Sequence, residues 1–328
     1  MKKKINIFDT ELKLIITLAC LLFSPILCAQ HTEESTIHGK FQLSGDVVYF
    51  PLTIVNSYPF ISGEINGVKG RFMFDTGHQG ALSINNNIVP LTTQKEIGGG
   101  YVGTGQKFRR YTIDSVEKVL LVNGLHFQNL KQTPSANYDF LQNGITPDYL
   151  GFIGHDFFTG YIFKLDYIKR KLTFFKNTPE RADSKDFLDG EKVVAILDFE
   201  TRKLPNFPMI KVEVDDVKML ASFDTGGSYG SLEITDRDAE KLTIKEALVD
   251  YGKDGADDNL YSLNKVKMSP QLTVNPIGIY KDTTDFDSPA RKALGVIEDN
   301  DLTFAYRFLA QYKTVWDYEN KKIYVLEY

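Results

Sequence analysis

Two short acidic motifs stand out because each one ends a run of apolar residues. Residues 74–77 read Phe-Asp-Thr-Gly, and the same four residues return at 223–226. Two carboxylates that lie side by side resist ionising together, so they share one proton and can act as a general acid and a general base. The pair Asp75 and Asp224 therefore predicts acid–base chemistry on a water molecule, provided that the fold brings the two motifs together.

The motifs belong to a longer internal repeat. Residues 64–77 align without a gap on residues 213–226, and one inserted residue then aligns residues 80–84 with residues 230–234. Further on, Ile153-Gly154 is matched to Leu294-Gly295. The period is far longer than the roughly 20–50 residues of a solenoid unit, so the repeat predicts two related lobes.

Each lobe is predicted to consist of β-strands. Asn66-Gly67 between two apolar runs is a strong hairpin signal, and residues 209–223 repeat the pattern. Two further hairpins are predicted at residues 161–175 and 313–327. The expected fold is all-β, with two homologous β-barrel-like lobes, residues 30–180 and 181–328, and an active-site cleft between them. The polar residues 177–191 are the expected linker.

The two motifs resemble the active-site loops of the pepsin and retropepsin superfamily of aspartic proteases, and the resemblance covers nearly all of the chain after residue 29. It implies the acid protease fold and an aspartic-type endopeptidase, in which water activated between two Asp carboxylates hydrolyses a peptide bond without a metal or other cofactor. It also implies a catalytic pair, Asp75 and Asp224, and a set of supporting loop residues: Thr76, Gly77, Thr225, Gly226 and Ser228.

A glycine-rich segment follows the first motif. Residues 98–105 contain five glycines, and the resemblance implies a hairpin flap that closes over the substrate, with Gly99, Gly100 and Tyr101 as substrate contacts. An ordinary mobile loop is the alternative. A phosphate-binding loop is disfavoured, because Gln106 stands where that motif requires Lys.

The chain departs from the family pattern directly after each motif. Ser or Ala is common there in the family, whereas this chain has His78 and Gly227. We expect His78 to be a surface histidine and Ser228 to hydrogen-bond the outer oxygen of Asp224.

Two other classes of function remain open. The first is a peptide-binding module of the same fold that has lost hydrolysis, although the presence of both Asp residues argues against simple decay. The second is an actin-like or sugar-kinase ATPase, which also uses paired Asp-containing loops but needs substantial helices between its strands. The β-rich pattern opposes this second alternative.

Composition and the N-terminal segment bear on partners and location. A net charge of −5 argues against nucleic acid as a partner, so a peptide or protein substrate is expected, together with a monomeric state. Residues 1–29 have a basic start and a short apolar run, which predicts a signal peptide and export to the periplasm or the exterior, with no stable membrane span. A lipid anchor through Cys20 or Cys28, the only cysteines of the chain, is the alternative.

Overall fold

The described part of the chain, residues 36–101 and 106–328 of a computed structural model, is built mainly from β-strands. It belongs to one unit, Ser35–Tyr328. The predicted signal peptide lies outside the described residues.

The first half contains twelve strands, one short α-helix and one 3-10 helix among its described residues. The strands are β1 (Thr36–His38), β2 (Val47–Pro51), β3 (Thr53–Val55), β4 (Tyr58–Ile65), β5 (Val68–Phe74), β6 (Leu82–Asn85), β7 (Gln94–Tyr101), β8 (Lys107–Leu121), β9 (His126–Ala136), β10 (Tyr149–Ile153), β11 (Tyr161–Asp166) and β12 (Lys171–Lys176). The helices are α1 (Asp139–Gly144) and the 3-10 helix His155–Phe158.

The second half contains twelve more strands and a few short helices. The strands are β13 (Val193–Asp198), β14 (Met209–Val214), β15 (Val217–Phe223), β16 (Gly230–Ile234), β17 (Leu248–Lys253), β18 (Asn259–Leu263), β19 (Val266–Ser269), β20 (Leu272–Val274), β21 (Ile277–Thr283), β22 (Asp301–Phe304), β23 (Lys313–Asp317) and β24 (Lys322–Leu326). The helices are α2 (Pro179–Ser184), the 3-10 helix Asp186–Leu188, α3 (Asp236–Ile244), α4 (Pro289–Leu294) and α5 (Tyr306–Leu309).

Both motif strands belong to the hairpins that the sequence predicted. The turn between β4 and β5 has positive φ at Asn66 (47°) and Gly67 (89°), and the turn between β14 and β15 has positive φ at Asp215 (44°) and Asp216 (68°). Two-residue turns of this kind match the twist of the flanking strands, and Asn, Asp and Gly tolerate the left-handed conformation best.

The strands form a two-lobed arrangement around a shared sheet. One nine-stranded sheet uses strands β1 and β3 to β10, and a second nine-stranded sheet uses β14 to β22. A six-stranded sheet, in the order β13-β24-β23-β11-β12-β2, takes three strands from each half of the chain. The predicted hairpins β11–β12 and β23–β24 lie side by side at its centre, where β11 pairs with β23. The mostly β, two-lobed architecture expected from the repeat is therefore confirmed.

Strand register identifies the residue of the second lobe that is structurally equivalent to Ile153. Strand β10 runs parallel to β5 and places Ile153 beside Phe74, while β22 runs parallel to β15 and places Phe304 beside Phe223. The predicted match of Ile153-Gly154 to Leu294-Gly295 is wrong: Gly295 ends helix α4 in a left-handed conformation, with φ of 81°. The equivalent residues are Phe304 and Ala305.

The alignment of residues 80–84 with residues 230–234 is also wrong, by two positions. In β6, Ser83 pairs with Phe152, and the corresponding pair in β16 joins Ser231 to Thr303. An error of two residues leaves every side chain on the same face of a strand, so the apolar pattern did not reveal it.

Aromatic side chains join the motif strands to the shared sheet. Phe74 packs edge-on against Phe163 of β11 at 5.5 Å, and Phe223 packs edge-on against Trp316 of β23 at 5.9 Å. Phe163 and Trp316 stack on each other at 5.2 Å, and all four rings are buried. Each buried ring contributes about 1.5–3 kcal/mol, so the ends of the two motif strands rest on a common apolar base.

The segment expected to be the linker contains helix α2 and the 3-10 helix Asp186–Leu188, and part of it is packed. Arg181 of α2 is buried and forms ion pairs with Asp46 and Asp186. This guanidinium ties the segment to the first lobe, because Asp46 directly precedes β2.

Within the ranges described, no helix has the length and apolar character required to cross a membrane.

Candidate active site

The two motif loops are held by equivalent backbone hydrogen bonds. The Asp75 N–H donates to the carbonyl of Ile153 at 3.0 Å, and the Asp224 N–H donates to the carbonyl of Phe304 at 2.9 Å. Each Asp directly follows the last residue of its strand, β5 or β15. Both aspartates therefore leave their lobes in the same way, as the repeat predicted.

The threonines connect the loops reciprocally. The Thr76 N–H donates to the Thr225 hydroxyl at 3.0 Å, and the Thr225 N–H donates to the Thr76 hydroxyl at 3.1 Å. The Thr225 hydroxyl in turn donates to the carbonyl of Phe74 at 2.9 Å. Both threonines have no exposed surface. Because an unpaired buried N–H costs about 1–3 kcal/mol, these bonds fix one loop relative to the other.

A third support was not found from the sequence. The side-chain amide of Asn206 donates to the carbonyls of Thr76 (3.0 Å) and Gly77 (2.9 Å), and its backbone carbonyl accepts from the Tyr318 hydroxyl at 3.1 Å. Asn206 is fully buried and lies in an irregular segment before β14. Among the described residues, no side chain supports the Asp224 loop in this way, so a search for repeated residues had no signal for Asn206.

The motif glycines make room for the carboxylate of the opposite lobe. A Cβ atom on Gly77 would lie 2.8 Å from Asp224 Oδ2, and one on Gly226 would lie 2.4 Å from Asp75 Oδ1. Neither distance is compatible with a side chain. Glycine is therefore required here by close approach between the lobes.

Each carboxyl group lies against the motif glycine of the opposite loop, and the two groups are close enough to interact. Asp75 Oδ1 accepts from the N–H groups of Gly77 (2.7 Å) and His78 (3.2 Å), and Asp224 Oδ1 accepts from the N–H of Gly226 (2.7 Å). Burial, the charge of Asp224 and the hydrogen bond to it raise the pKa of Asp75 well above its ordinary value. Burial also raises the pKa of Asp224, against the backbone hydrogen bond from Gly226. These shifts favour a pair that holds one proton between its members.

Ser228 is near the pair in sequence but does not bond to it. Among the described side chains, no hydroxyl donates to either carboxylate, and Ser228 forms no hydrogen bond to Asp224. The expected bond to the outer oxygen of Asp224 is therefore absent. Backbone N–H groups of the loops supply the donors instead.

His78 is not the surface residue that we expected. Its ring stacks on Phe152 at 5.1 Å, and its Nε2 atom is buried without a partner in the described part of the chain. Burial, followed by the positive charge of Arg110, lowers its pKa from 6.5 to about 4. The imidazole is therefore neutral over most of the pH range and packs against Phe152 as an uncharged ring.

This lowered pKa predicts a stability change with pH. A base whose pKa falls on folding adds stability that is complete above its unfolded pKa and is lost as the pH falls through its folded pKa. The wild type should therefore lose melting temperature between about pH 6.5 and about pH 4. His78→Phe, which keeps a ring against Phe152, should lose less over the same range.

Thermal unfolding of both proteins across this range is the measurement, with the exposed His38→Gln as the control for a histidine away from the site. If wild type and His78→Phe lose the same melting temperature as the pH falls, His78 is not held neutral by the folded protein.

An apolar wall extends from Asp75 on the side of the first lobe. It is a separate buried cluster, with Phe108, Phe140 and Leu141 packed against its core residues Phe60, Met73, Ala136, Tyr138, Tyr149 and Phe152. Burial raises the pKa of Tyr138, and the charge of Asp75 adds to this rise, so the wall and the carboxyl pair are close enough to interact. An apolar group bound beside this cluster would contact its half-buried members Phe108, Phe140 and Leu141.

The predicted flap corresponds to the hairpin β7–β8, and its tip, residues 102–105, lies outside the described residues. Opposed residues in an antiparallel pair share a face. Gly100 opposes Phe108, and Tyr101 opposes Lys107, so Tyr101 lies on the other face from Phe108. The ring of Phe108 packs against Tyr138 of the apolar wall at 5.2 Å, whereas Tyr101 is 48% exposed. The aromatic side chain of this hairpin that faces the site is Phe108.

Chemically, the site offers one acid and one base that interact with each other, next to an apolar wall. In the ranges described, no three His, Cys, Asp or Glu side chains converge as potential metal ligands. General acid–base catalysis on a water molecule is the chemistry that these groups can supply.

Comparison with known proteins gives no match to the sequence of this chain. No protein-family model matches it, and no curated protein matches it. Among solved structures, the chain is similar to the crystal structure of Basic 7S globulin from soybean, with 10% sequence identity, 86% of this chain and 95% of that chain covered, and a TM-score of 0.46.

These results contradict the assignment of the chain to the pepsin and retropepsin superfamily. A family assignment needs similarity along the chain, and the family models find none. The similarity to the soybean protein is too low to replace it. The geometry of the loop constrains only the four residues of each motif. A match over four residues does not establish common ancestry with the family.

Proposed function

We propose that the protein is an aspartic-type endopeptidase that binds an extended peptide between its lobes. The observation that carries the proposal is the contact between the carboxyl groups of Asp75 and Asp224, held by the reciprocal hydrogen bonds of Thr76 and Thr225. Acid–base catalysis demands two groups fixed at a short distance, and buried reciprocal bonds of this kind supply that rigidity.

The proposed reaction begins with a singly protonated carboxyl pair. The ionised member takes a proton from a water molecule, and the resulting hydroxide attacks the peptide carbonyl carbon. The protonated member gives its proton to the carbonyl oxygen, which yields a tetrahedral intermediate. When the C–N bond breaks, the pair gives a proton to the leaving amine and takes one from a hydroxyl of the tetrahedral intermediate, whose oxygen becomes the carbonyl of the new carboxyl group. The pair thereby returns to its starting state.

The finer fold assignment is part of this proposal. Two β-barrel-like lobes of the acid protease type, with a cleft at their junction, would present one Asp from each lobe. The equivalent anchoring of Asp75 to Ile153 and of Asp224 to Phe304 supports this arrangement.

We also propose that the protein is exported, because residues 1–29 carry the basic and apolar pattern of a signal peptide. An envelope or extracellular location would bring it into contact with peptide and protein substrates outside the cytoplasm.

A second candidate function is a peptide-binding module that does not hydrolyse its ligand. The absence of any described hydroxyl that donates to Asp75 or Asp224 favours this candidate, since the carboxyl pair lacks side-chain support. The apolar wall beside Asp75 would bind a peptide equally well in either case.

Incubation of the protein with a mixed peptide library over a range of pH distinguishes the candidates. Cleavage with apolar residues enriched beside the cut bond supports the endopeptidase, because the wall contacts such residues. Retention of peptides without cleavage supports the binding module. If the library is neither cut nor retained, both candidates are wrong.

The hairpin β7–β8 yields a separate prediction. A Cβ on Gly100 would lie 2.6 Å from the ring of Phe108, whereas the atom nearest to a Cβ on Gly99 would be the Phe108 carbonyl oxygen, at 3.6 Å. Gly100→Ala must therefore displace Phe108 from the apolar wall. We expect it to lower kcat/KM about tenfold, which is the scale of an overpacking cost of about 1–3 kcal/mol applied at the site.

Gly99, which the sequence resemblance implied as a substrate contact, opposes Arg109 on the face away from Phe108. Gly99→Ala is therefore the matched control and should retain nearly full activity. Steady-state kinetics and melting temperatures of the two variants are the measurements. Equal kinetics for the two would mean that the position of Phe108 does not affect the site.

A further inference from the structure

Arg110 lies on the face of the hairpin β7–β8 that faces the site. Side chains alternate along a strand, so Arg110 shares a face with Phe108, two residues before it, and Arg109 points the opposite way. Phe108 packs against Tyr138 of the apolar wall, which fixes this face as the inner one. The guanidinium of Arg109 pairs with Glu96 on the outer face at 3.4 Å.

The neighbours of Arg110 leave its side chain uncovered. Across the sheet it is opposed by Gly98 of β7 on one side and by Ala136 of β9 on the other. Neither carries a side chain larger than a methyl group. The aliphatic part of Arg110 passes close to Gly100, where an added Cβ would be 3.2 Å from its Cδ. Small residues thus surround an arginine that remains exposed.

The charge of Arg110 is unpaired and acts toward the site. In the part of the chain that the structure describes, no carboxylate forms an ion pair with it, in contrast to Arg109. Its charge nevertheless reaches His78, whose pKa is lowered mainly by burial and further by Arg110. It also opposes the rise that burial causes in the pKa of Tyr138. A cation without a partner therefore faces the region beside Asp75.

We propose that Arg110 binds a carboxylate of the peptide, so that the ligands of this site are acidic peptides. This inference rests on the proposed function, in which a peptide occupies the cleft. The peptide would place an apolar residue on the wall beside Asp75 and an Asp or Glu nearby, where the guanidinium can donate two hydrogen bonds to its carboxylate. The apolar wall then causes the preference for apolar residues next to the cut bond. Arg110 causes the separate preference for an acidic residue farther from that bond.

The test uses two peptide libraries with apolar central residues, identical except that each flanking position carries Glu in one and Gln in the other. Binding is measured to the full-length Asp224→Asn protein, which prevents turnover, and to the same protein carrying Arg110→Gln, Arg110→Lys or Arg109→Gln. We expect Glu peptides with the best flanking position to bind about tenfold more tightly than their Gln partners, the scale of a charged hydrogen bond at a partly exposed site.

The preference should disappear in Arg110→Gln, persist in part in Arg110→Lys and persist fully in Arg109→Gln. Equal binding of Glu and Gln peptides, or a preference that survives Arg110→Gln, would overturn the role of Arg110 and leave the peptide-binding function standing. If no peptide of either library binds, the proposed function fails and this inference fails with it.

Discussion

Asp75→Asn and Asp224→Asn are each expected to reduce peptide hydrolysis by at least about 100-fold, the low end of the contribution of a general acid or base. An amide has nearly the volume of a carboxyl group but neither takes nor gives a proton at ordinary pH. Peptide binding should persist in both variants, because the apolar wall is unchanged. The measurement is cleavage of a library peptide, together with its affinity.

Stability provides an internal control for these variants. The pKa of Asp75 is raised well above 3.8 in the folded protein, so the stability contributed by the protonated group is complete below the unfolded pKa and is lost as the pH rises through the folded pKa. Asn removes this loss, and Asp75→Asn should match or exceed the melting temperature of the wild type at neutral pH. The exposed Asp114→Asn should change neither activity nor stability. Full activity in either motif variant would remove that carboxylate from the reaction.

Gly226→Ala is expected to abolish hydrolysis while both carboxylates remain in the sequence. The new methyl group would lie 2.4 Å from Asp75 Oδ1, so Asp75 must move away from Asp224 or the loops must separate. A displacement of about 1 Å at reacting groups costs about 100-fold in rate, and separation of the loops would also strain the bonds between Thr76 and Thr225.

The control for this substitution is Gly144→Ala, at the end of α1, where an added Cβ meets no atom within 4 Å. It should leave kinetics unchanged. Measured side by side, near-normal activity in Gly226→Ala would show that close approach of the two loops is not needed for the reaction.

The centre of the site was predictable because its chemistry constrains single residues. Each lobe must supply a carboxylate, a threonine that bonds to the opposite backbone and a glycine that leaves room for the opposite carboxylate. None of these positions tolerates another residue type. The predicted hairpins were equally accessible, because Asn66-Gly67 and the alternation around it are local signals.

The counterpart of Gly154 in the second lobe is Ala305, and a search for a second glycine could not find it. The motif loop packs against this position in both lobes, but a different member of the contact lacks a side chain in each. In the first lobe, His78 carries the side chain, and a Cβ on Gly154 would lie 2.8 Å from His78 Cδ2, as well as 2.1 Å from the His78 carbonyl oxygen. In the second lobe, Gly227 lacks the side chain and faces the methyl group of Ala305, from which an added Cβ would be 2.9 Å. The glycine stands on the segment after β10 in the first lobe and on the motif loop in the second. The two halves of the sequence therefore share no glycine at equivalent positions.

Asn206 and Arg110 were missed for a different reason. Each acts on one lobe alone, so the internal repeat gives neither a counterpart. Asn206 is identified only by its hydrogen bonds to the Asp75 loop. Arg110 is identified only by strand register, which separates it from the neighbouring and chemically identical Arg109.

The central claim is that water activated by Asp75 and Asp224 attacks the peptide bond directly. The most direct test is a single turnover of a library peptide in water enriched in heavy oxygen, followed by mass spectrometry of the product and of the protein. The account predicts one heavy oxygen in the new carboxyl group of the product, none in either Asp side chain, and no product from Asp75→Asn or Asp224→Asn. Heavy oxygen in Asp75 or Asp224, or the absence of product from the wild type at every pH, would contradict it.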